Sequence, residues 1–457
     1  MVKSSRCWSA LALALCLSAA MAQAQATATE HRLVTLDPGH FHAALVQKTM
    51  IPGLSPQVTV YAPEGPDLDL HLQRIEQFNA RAADPTHWEM NVQRGPDYLQ
   101  RMLDERTGDI VIISGNNRRK AEYITRALEA GFNVYADKPM AIDRVQFEAL
   151  DRAFDTAQDR GLLLYDIMTE RYEITNILQR ELAGIAEVFG EFQPGSAEQP
   201  AIVKESVHHF SKLVAGQPLQ RPAWFFDAAQ QGDGLVDVTT HLVDLVQWGA
   251  FPGLALDYER DIVIDQASHW PTWLNLAKFS AVTGLAAFPE RMQPLVRYGR
   301  LGAMSNGRID YRIRGLHARV VVRWEFQAPA GGGDTHYSEF RGTRASLVIR
   351  QGLEQGFVPE LYIEPHASSG LDEAGLAAAL APLIARYPGL SLQPSAGTWR
   401  VDIPEQYRVG HEAHFAQVTQ AFLGYLDQRQ LPDWEVPNMR VKYRLTTTAL
   451  AQAAVGE

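Results

Sequence analysis

Cysteine is almost missing from this chain. Cys7 and Cys16 are the only two, and both fall in an N-terminal leader. A chain trimmed of that leader would carry no thiol, which excludes disulfides, a thiolate nucleophile and cysteine-ligated zinc. Long hydrophobic runs are missing as well. "ALALALCLSAAM" spans only about a dozen residues, too few to cross a bilayer. Lys3 and Arg6 precede it and "AQAQA" follows, the order of a secretory signal peptide over residues 1–26 with cleavage after Ala24 or Ala26. The leader has no Arg-Arg pair, so the twin-arginine route is not supported. Export is the expectation, to the periplasm if the cell is Gram-negative. Excess positive charge is absent too. The formal charge of −11 becomes −13 once Lys3 and Arg6, and no acid, are removed. An acidic surface argues against nucleic acid or an anionic membrane as partner. No repeat or low-complexity tract is present.

What is there is an alternation of apolar runs and helical stretches over 31–165. "RLVTL", "QVTVYA", "DIVIIS", "FNVYA" and "LLLYDI" are short, apolar and bounded by Gly, Pro or Asp, as buried parallel strands are. Helical patterns lie between them at 41–49, 68–80, 97–105, 118–130 and 144–160. The order predicts a doubly wound parallel sheet of Rossmann type. The link over 62–95 is long and carries Trp88. From 166 to the end the pattern becomes α+β. "RIDYRIRGLHARVVVRWEFQ" (308–327) alternates with period two, as an antiparallel pair does, and predicts a large, mostly antiparallel sheet. A helix over 411–428 carries Phe415, Val418, Phe422 and Tyr425 on one face.

Two motifs carry chemistry. In "DIVIISGNNRRKAEYITRALEAGFNVYADKPMAI" (109–142), Asp137-Lys138-Pro139 ends a predicted parallel strand, the edge where ligands bind in open α/β sheets. In "WFFDAAQQGDGLVDVTTHLVDLVQW" (224–248), Asp237 and His241 are four apart and share a helix face. A carboxylate beside an imidazole orients it and raises its basicity, which suits a general base. Together the motifs resemble those of the Gfo/Idh/MocA oxidoreductases. That family has a "TPN"-type turn, a helix ending in Ala-Leu-x-Ala-Gly, then Glu-Lys-Pro, and later a Gly-rich stretch before Asp-x-x-x-His-x-x-Asp. Asn117, "ALEAG", Lys138-Pro139, Gly232, Gly234, Asp237, His241 and Asp244 match. Asn116 stands for the turn proline and Lys120 for a histidine. The resemblance covers nearly the whole mature chain.

The resemblance places "LDPGHFHAAL" (36–45) at the dinucleotide turn. Of the three glycines of G-x-G-x-x-G, only Gly39 remains; Asp37 and His42 replace the others. The expected nucleotide contacts are Gly39, His40, Phe41, His42, Glu64 (or Asp67) as the ribose acid, Asn117 and Lys138. NAD is favoured over NADP, because no arginine follows the acid closely. The activity implied is hydride transfer on a sugar, glycoside or cyclitol hydroxyl. His241 would act as base, Asp237 would orient it and Lys138 would bond the reacting oxygen. Export calls for a tightly held cofactor. His208, His209, Lys212, Trp224 and Asp227 are candidate substrate contacts, and no metal is expected. Adjacent histidines on a strand face opposite ways, which disfavours joint ligation. Two alternatives share the fold: an NAD-dependent glycosidase working through transient C3 oxidation, elimination and hydration, and a non-enzymatic sugar-binding protein on a degenerate scaffold. The expected partner is a small carbohydrate, and the resemblance implies a homo-oligomer.

Overall fold

The computed structural model describes residues 30–214, 216–367 and 369–456. The signal peptide at 1–26 lies outside the described residues. Six parallel strands form the first sheet: β1 (Leu33–Leu36), β2 (Gln57–Ala62), β3 (Glu89–Arg94), β4 (Ile110–Ile113), β5 (Asn133–Asp137) and β6 (Leu164–Ile167). Their order is β3-β2-β1-β4-β5-β6, so the chain reverses direction across the sheet at β1. The crevice beyond the carboxyl ends of β1, β4 and β5 is therefore where this architecture binds ligands. "LVTL" and "IVII" are buried at every position, as central strands covered on both faces must be.

The helices between them are α1 (His42–Leu45), α2 (Pro66–Ala80), α3 (Tyr98–Glu105), α4 (Lys120–Glu129) and α5 (Arg144–Arg160). Two stretches differ from the sequence reading. The helix predicted over 41–49 is a single turn, α1, and His42 at the third glycine place is buried where the helix should meet the strand. The long link over 62–95 contains a strand, β3. It lies at the sheet edge and is partly exposed, and its "EMNVQR" carries only two apolar residues, Met90 and Val92, too short an alternation to mark it.

The second sheet has eleven strands and is mixed. Its centre is β7 (Ile202–Ser211), which pairs parallel with a later hairpin strand and antiparallel with another, Thr335–Arg341. The hairpin is β8 (Arg300–Ile313) and β9 (Leu316–Gln327), the antiparallel pair predicted from period two. Two helices pack over it, α6 (Ile174–Ala183) and α7 (Thr239–Ala250). The predicted C-terminal helix, α8 (His411–Gln428), is present with those bounds, and α9 (Glu435–Gln452) follows it. The sequence grouped α8 with the second domain. In space it returns to the first sheet, where Phe422 stacks on Tyr135 at 4.7 Å and Thr419 Oγ1 meets Tyr135 Oη at 3.2 Å. Among the described residues no helix is long and apolar enough to cross a membrane.

One buried group sets an acid limit on this fold. His71 on α2 is 2% exposed and neither ring nitrogen has a hydrogen-bond partner. Burial, with Arg74 beside it, pushes its pKa down to about 3. Protonation then favours the unfolded chain, where the value is near 6.5. The stability tied to this group is complete above pH 6.5 and falls as the pH drops toward 3. At pH 5 the loss is about 2 kcal/mol. His71→Leu is expected to flatten that part of the pH–stability curve, measured by urea unfolding at pH 7 and pH 5. An unchanged difference between the two pH values would contradict this.

Candidate active site

The two domains face each other across a cavity of about 1160 Å³. Its floor is the carboxyl edge of the parallel sheet and its roof is β7, α7 and the Gly-rich loop over 328–334. Lys138, directly after β5, is 7% exposed, and its Nζ donates to Asp237 Oδ1 at 2.7 Å. Burial opposes the charge on Asp237, but the Lys138 ammonium outweighs it and holds the carboxyl below its usual range. His241, on α7, lines the same cavity. The expected Asp237–His241 pair does not form: Asp237 is spent on Lys138, and His241 Nδ1 is buried with no partner. Position 237 lies before α7 begins, so four-residue helical spacing does not apply there. Burial, then the charge of Lys138, pushes His241 down to about 3, so its imidazole is neutral at any pH near 7.

The altered dinucleotide turn also departs from expectation. Asp37 adopts φ 46°, the left-handed conformation that glycine would supply and aspartate tolerates. Its carboxylate accepts from Tyr123 Oη at 2.7 Å. The amides of Gly39 and His40 both donate to Ser114 O, at 3.2 and 3.3 Å. A Cβ on Gly115 would lie 2.2 Å from Asp37 O, so the turns after β1 and β4 touch through bare backbone. His40 and His42 both turn their Nδ1 atoms toward Asp137. His42 Nδ1 lies 3.1 and 3.2 Å from the two oxygens of Asp137, and His40 Nδ1 lies 3.3 Å from Oδ2. Phe41 lines the cavity between them.

Of the two candidate ribose acids, Asp67, at the start of α2, faces the turn after β1, whereas Glu64 is exposed. Asp67 Oδ2 would lie 3.0 Å from a Cβ on Gly39 and accepts from Trp224 Nε1 at 2.7 Å. Trp224, a candidate substrate contact, thus faces the turn after β1. Asp227, the other candidate on this stretch, caps a short helix by accepting from Ala229 N at 3.0 Å. Asn117 Nδ2 donates to Gln231 O at 2.6 Å, leaving Asn117 Oδ1 and Gln231 Oε1 buried without donors. These orphaned acceptors beside Lys138, with Gly39 and Asp67 beyond, fit a nucleotide that brings donor groups to one end and ribose hydroxyls to the other.

His208, His209 and Lys212 do line the cavity, gathered by a residue the sequence reading missed. Asp334, after the Gly-rich run, sits 3.1 Å from each Nδ1 and 2.6 Å from Lys212 Nζ. Both histidines meet one carboxylate despite their alternation, because Asp334 crosses the strand end. Glu170 was missed too. Burial would raise it, but His336, His411 and His241 around it win and hold it at about 2. Arg171 is structural, as its forked bond to Asp244 shows.

Comparison with known proteins follows the same two halves. Residues 68–166 match the family described as "Oxidoreductase family, NAD-binding Rossmann fold" (Gfo/Idh/MocA), and 178–454 match "Putative oxidoreductase C terminal domain". The altered turn lies outside the first match. An oxidoreductase structure from Parabacteroides merdae is 52% identical, covers 93% of this chain and 97% of its own, and superposes with a TM-score of 0.90. KijD10, a 3-ketoreductase from Actinomadura kijaniata solved with NADP and TDP-benzene, is 16% identical with a TM-score of 0.55, covering 93% of this chain and 98% of its own. An oxidoreductase from Thermotoga maritima is 12% identical with a TM-score of 0.58, covering 92% and 97%. No curated protein matches the chain.

Proposed function

The chain belongs to the Gfo/Idh/MocA oxidoreductases, and on that premise we propose that it oxidises or reduces a sugar, glycoside or cyclitol at one carbon with a nicotinamide nucleotide. The observation that carries this reading is the single cavity wall shared by Lys138 of one domain and His241 of the other. A substrate hydroxyl at that wall meets a cation and a neutral acceptor together. His241, its imidazole neutral, takes the hydroxyl proton. The imidazolium that results is stabilised by the Glu170 carboxylate. Lys138, aimed by Asp237, donates to the same oxygen and favours its alkoxide. Asp67 would bond the ribose, Gly39 leaves backbone room at the turn, and Asn117 and Gln231 would accept at the nicotinamide end. The nucleotide, when bound, supplies the hydride acceptor or donor. A carboxylate at the ribose favours NAD over NADP. The ketoreductase of the same fold supports alcohol–ketone chemistry. Export through the leader, with a nucleotide that stays bound, completes the reading.

A second reading uses the same wall. Glu173 is raised to about 7 by burial and Glu170, and Lys204 is lowered to about 7 by burial; both line the cavity. Two groups poised near neutrality suit proton abstraction beside a transient ketone, as the NAD-dependent glycosidase route requires. Release of aglycone from an aryl glycoside without net NADH formation would select it.

The test is the nucleotide. Protein purified from its native cell is expected to begin near Gln25 or Thr27 and to release NAD(H) on denaturation. Gly39→Val should weaken binding of added NAD(H) at least tenfold by calorimetry while the protein stays folded. An intact Met1 would refute export. Wild-type protein that neither carries nor binds NAD(H) or NADP(H) would refute the redox reading.

A further inference from the structure

We propose that His40, His42 and Asp137 form a binding site for one divalent transition-metal ion, open to the active-site cavity. The two histidines come from the turn after β1 and the carboxylate from the end of β5, so two segments far apart in sequence converge on one point. One ligand atom from each of the three residues, a ring nitrogen from either histidine and a carboxylate oxygen, lies within 4.8 Å of the other two. Donors at about 2.1 Å from a shared ion stand about 3.0 Å apart at right angles and about 3.4 Å apart at tetrahedral angles. The nitrogen–oxygen separations here are 3.1, 3.2 and 3.3 Å. His40 Nδ1 points at this spot and has no hydrogen bond of its own, although its side chain is only 12% exposed.

The surroundings support ligands rather than a plain hydrogen-bonded cluster. Ser114 Oγ donates to Asp137 Oδ2 at 3.0 Å and Lys120 Nζ donates to the Asp137 carbonyl at 2.7 Å, which fixes the carboxylate from behind. His40 packs on Phe41 and Phe225, and His42 on Phe415, which fixes the two rings. Both imidazoles line the cavity, so three protein ligands leave coordination positions facing it, the arrangement of catalytic rather than structural sites. Lys138 stands near and would repel a cation, but its Nζ is drawn off to Asp237. The cavity holds a second pair of histidines on a carboxylate, His208 and His209 on Asp334, and there the contrast is informative. Lys212 Nζ lies 2.6 Å from Asp334 Oδ2 and fills the cation's place with a side chain. No side-chain cation fills that place between His40, His42 and Asp137 among the described residues.

Two imidazoles and one carboxylate select a first-row ion such as Zn²⁺ or Fe²⁺ over Mg²⁺ or Ca²⁺. The ion would bind a substrate oxygen or water and lower its pKa at the wall that Lys138 and His241 share. Binding of the ion does not depend on the redox reading, because it is measured without nucleotide or substrate.

The probe is Co²⁺, added to the full protein stripped with chelator at pH 7.5 and followed by calorimetry and by its visible absorption. One equivalent is expected to bind, to be displaced by Zn²⁺ and to be unaffected by millimolar Mg²⁺. His42→Ala should weaken it about a hundredfold or more. His40→Ala removes a ring whose Nδ1 holds no hydrogen bond, so it should fold and weaken binding similarly. His208→Ala should leave binding unchanged. Absence of stoichiometric Co²⁺ binding, equal binding by His40→Ala, or loss of the site in His208→Ala would each overturn the proposal.

Discussion

Asp244→Ala is expected to lose about 3–5 kcal/mol of folding stability, the usual cost of breaking a buried ion pair from one side. Asp244 closes the Asp-x-x-x-His-x-x-Asp motif, yet it lies in the joint between the domains. Arg171 gives it a forked bond, Nε to Oδ2 at 2.6 Å and Nη2 to Oδ1 at 2.7 Å. Lys442 adds a third contact at 2.7 Å and also reaches Asp166 at the end of β6. Arg171 Nη1 donates to Glu435 on α9 at 2.7 Å. Lys442 and Asp166 are fully buried, and the other three side chains are nearly so. Burial works against the charge on Asp244, but Arg171 and Lys442 outweigh it and hold the carboxyl well below its usual range. The alanine variant leaves a guanidinium fork and an ammonium without their shared acceptor, away from water. Asp244→Asn keeps an acceptor and should cost less, about 1–3 kcal/mol. Urea unfolding of the three proteins at pH 7 measures this. A loss under about 1 kcal/mol for the alanine variant would show that the joint relaxes around the gap.

Lys138→Met is expected to slow turnover by about 10²–10⁴-fold on a substrate that the wild-type protein turns over. The single substitution also strands the buried Asp237 carboxylate, so part of any loss would be structural. The double variant Lys138→Met, Asp237→Leu separates the two. Replacing both ends of a buried pair by apolar side chains of similar size is often neutral or better for stability. The double variant should therefore unfold close to wild type while staying as slow as Lys138→Met. His241→Ala should lose activity in the same range with nucleotide still bound, and the losses should not add, because the groups act on one oxygen. Near-wild-type turnover by the double variant would remove Lys138 from the chemistry and leave it a structural cation.

The sequence by itself determined what short-range patterns encode. Apolar runs bounded by breakers marked five of the six parallel strands, period two marked the β8–β9 hairpin, and the face of 411–428 marked α8 with its observed ends. These features arise from local backbone preference and from which side chains must leave water, and both are written along the chain. Lys138 was legible for the same reason, since the end of a buried parallel strand is a fixed place in this architecture. Partnership was not legible. Spacing paired Asp237 with His241, but the helix starts only at Thr239, and the carboxylate found a cation across the domain cleft. Glu64 and Asp67 are nearly adjacent, and only packing against Trp224 decided which one faces the turn. His40 and His42 read only as nucleotide contacts because nothing local shows that Asp137, about a hundred residues on, ends its strand beside them. A buried charge takes the nearest opposite charge or donor that the assembled fold provides, because solvation is lost and Coulomb attraction strengthens there. Tertiary structure alone sets those distances.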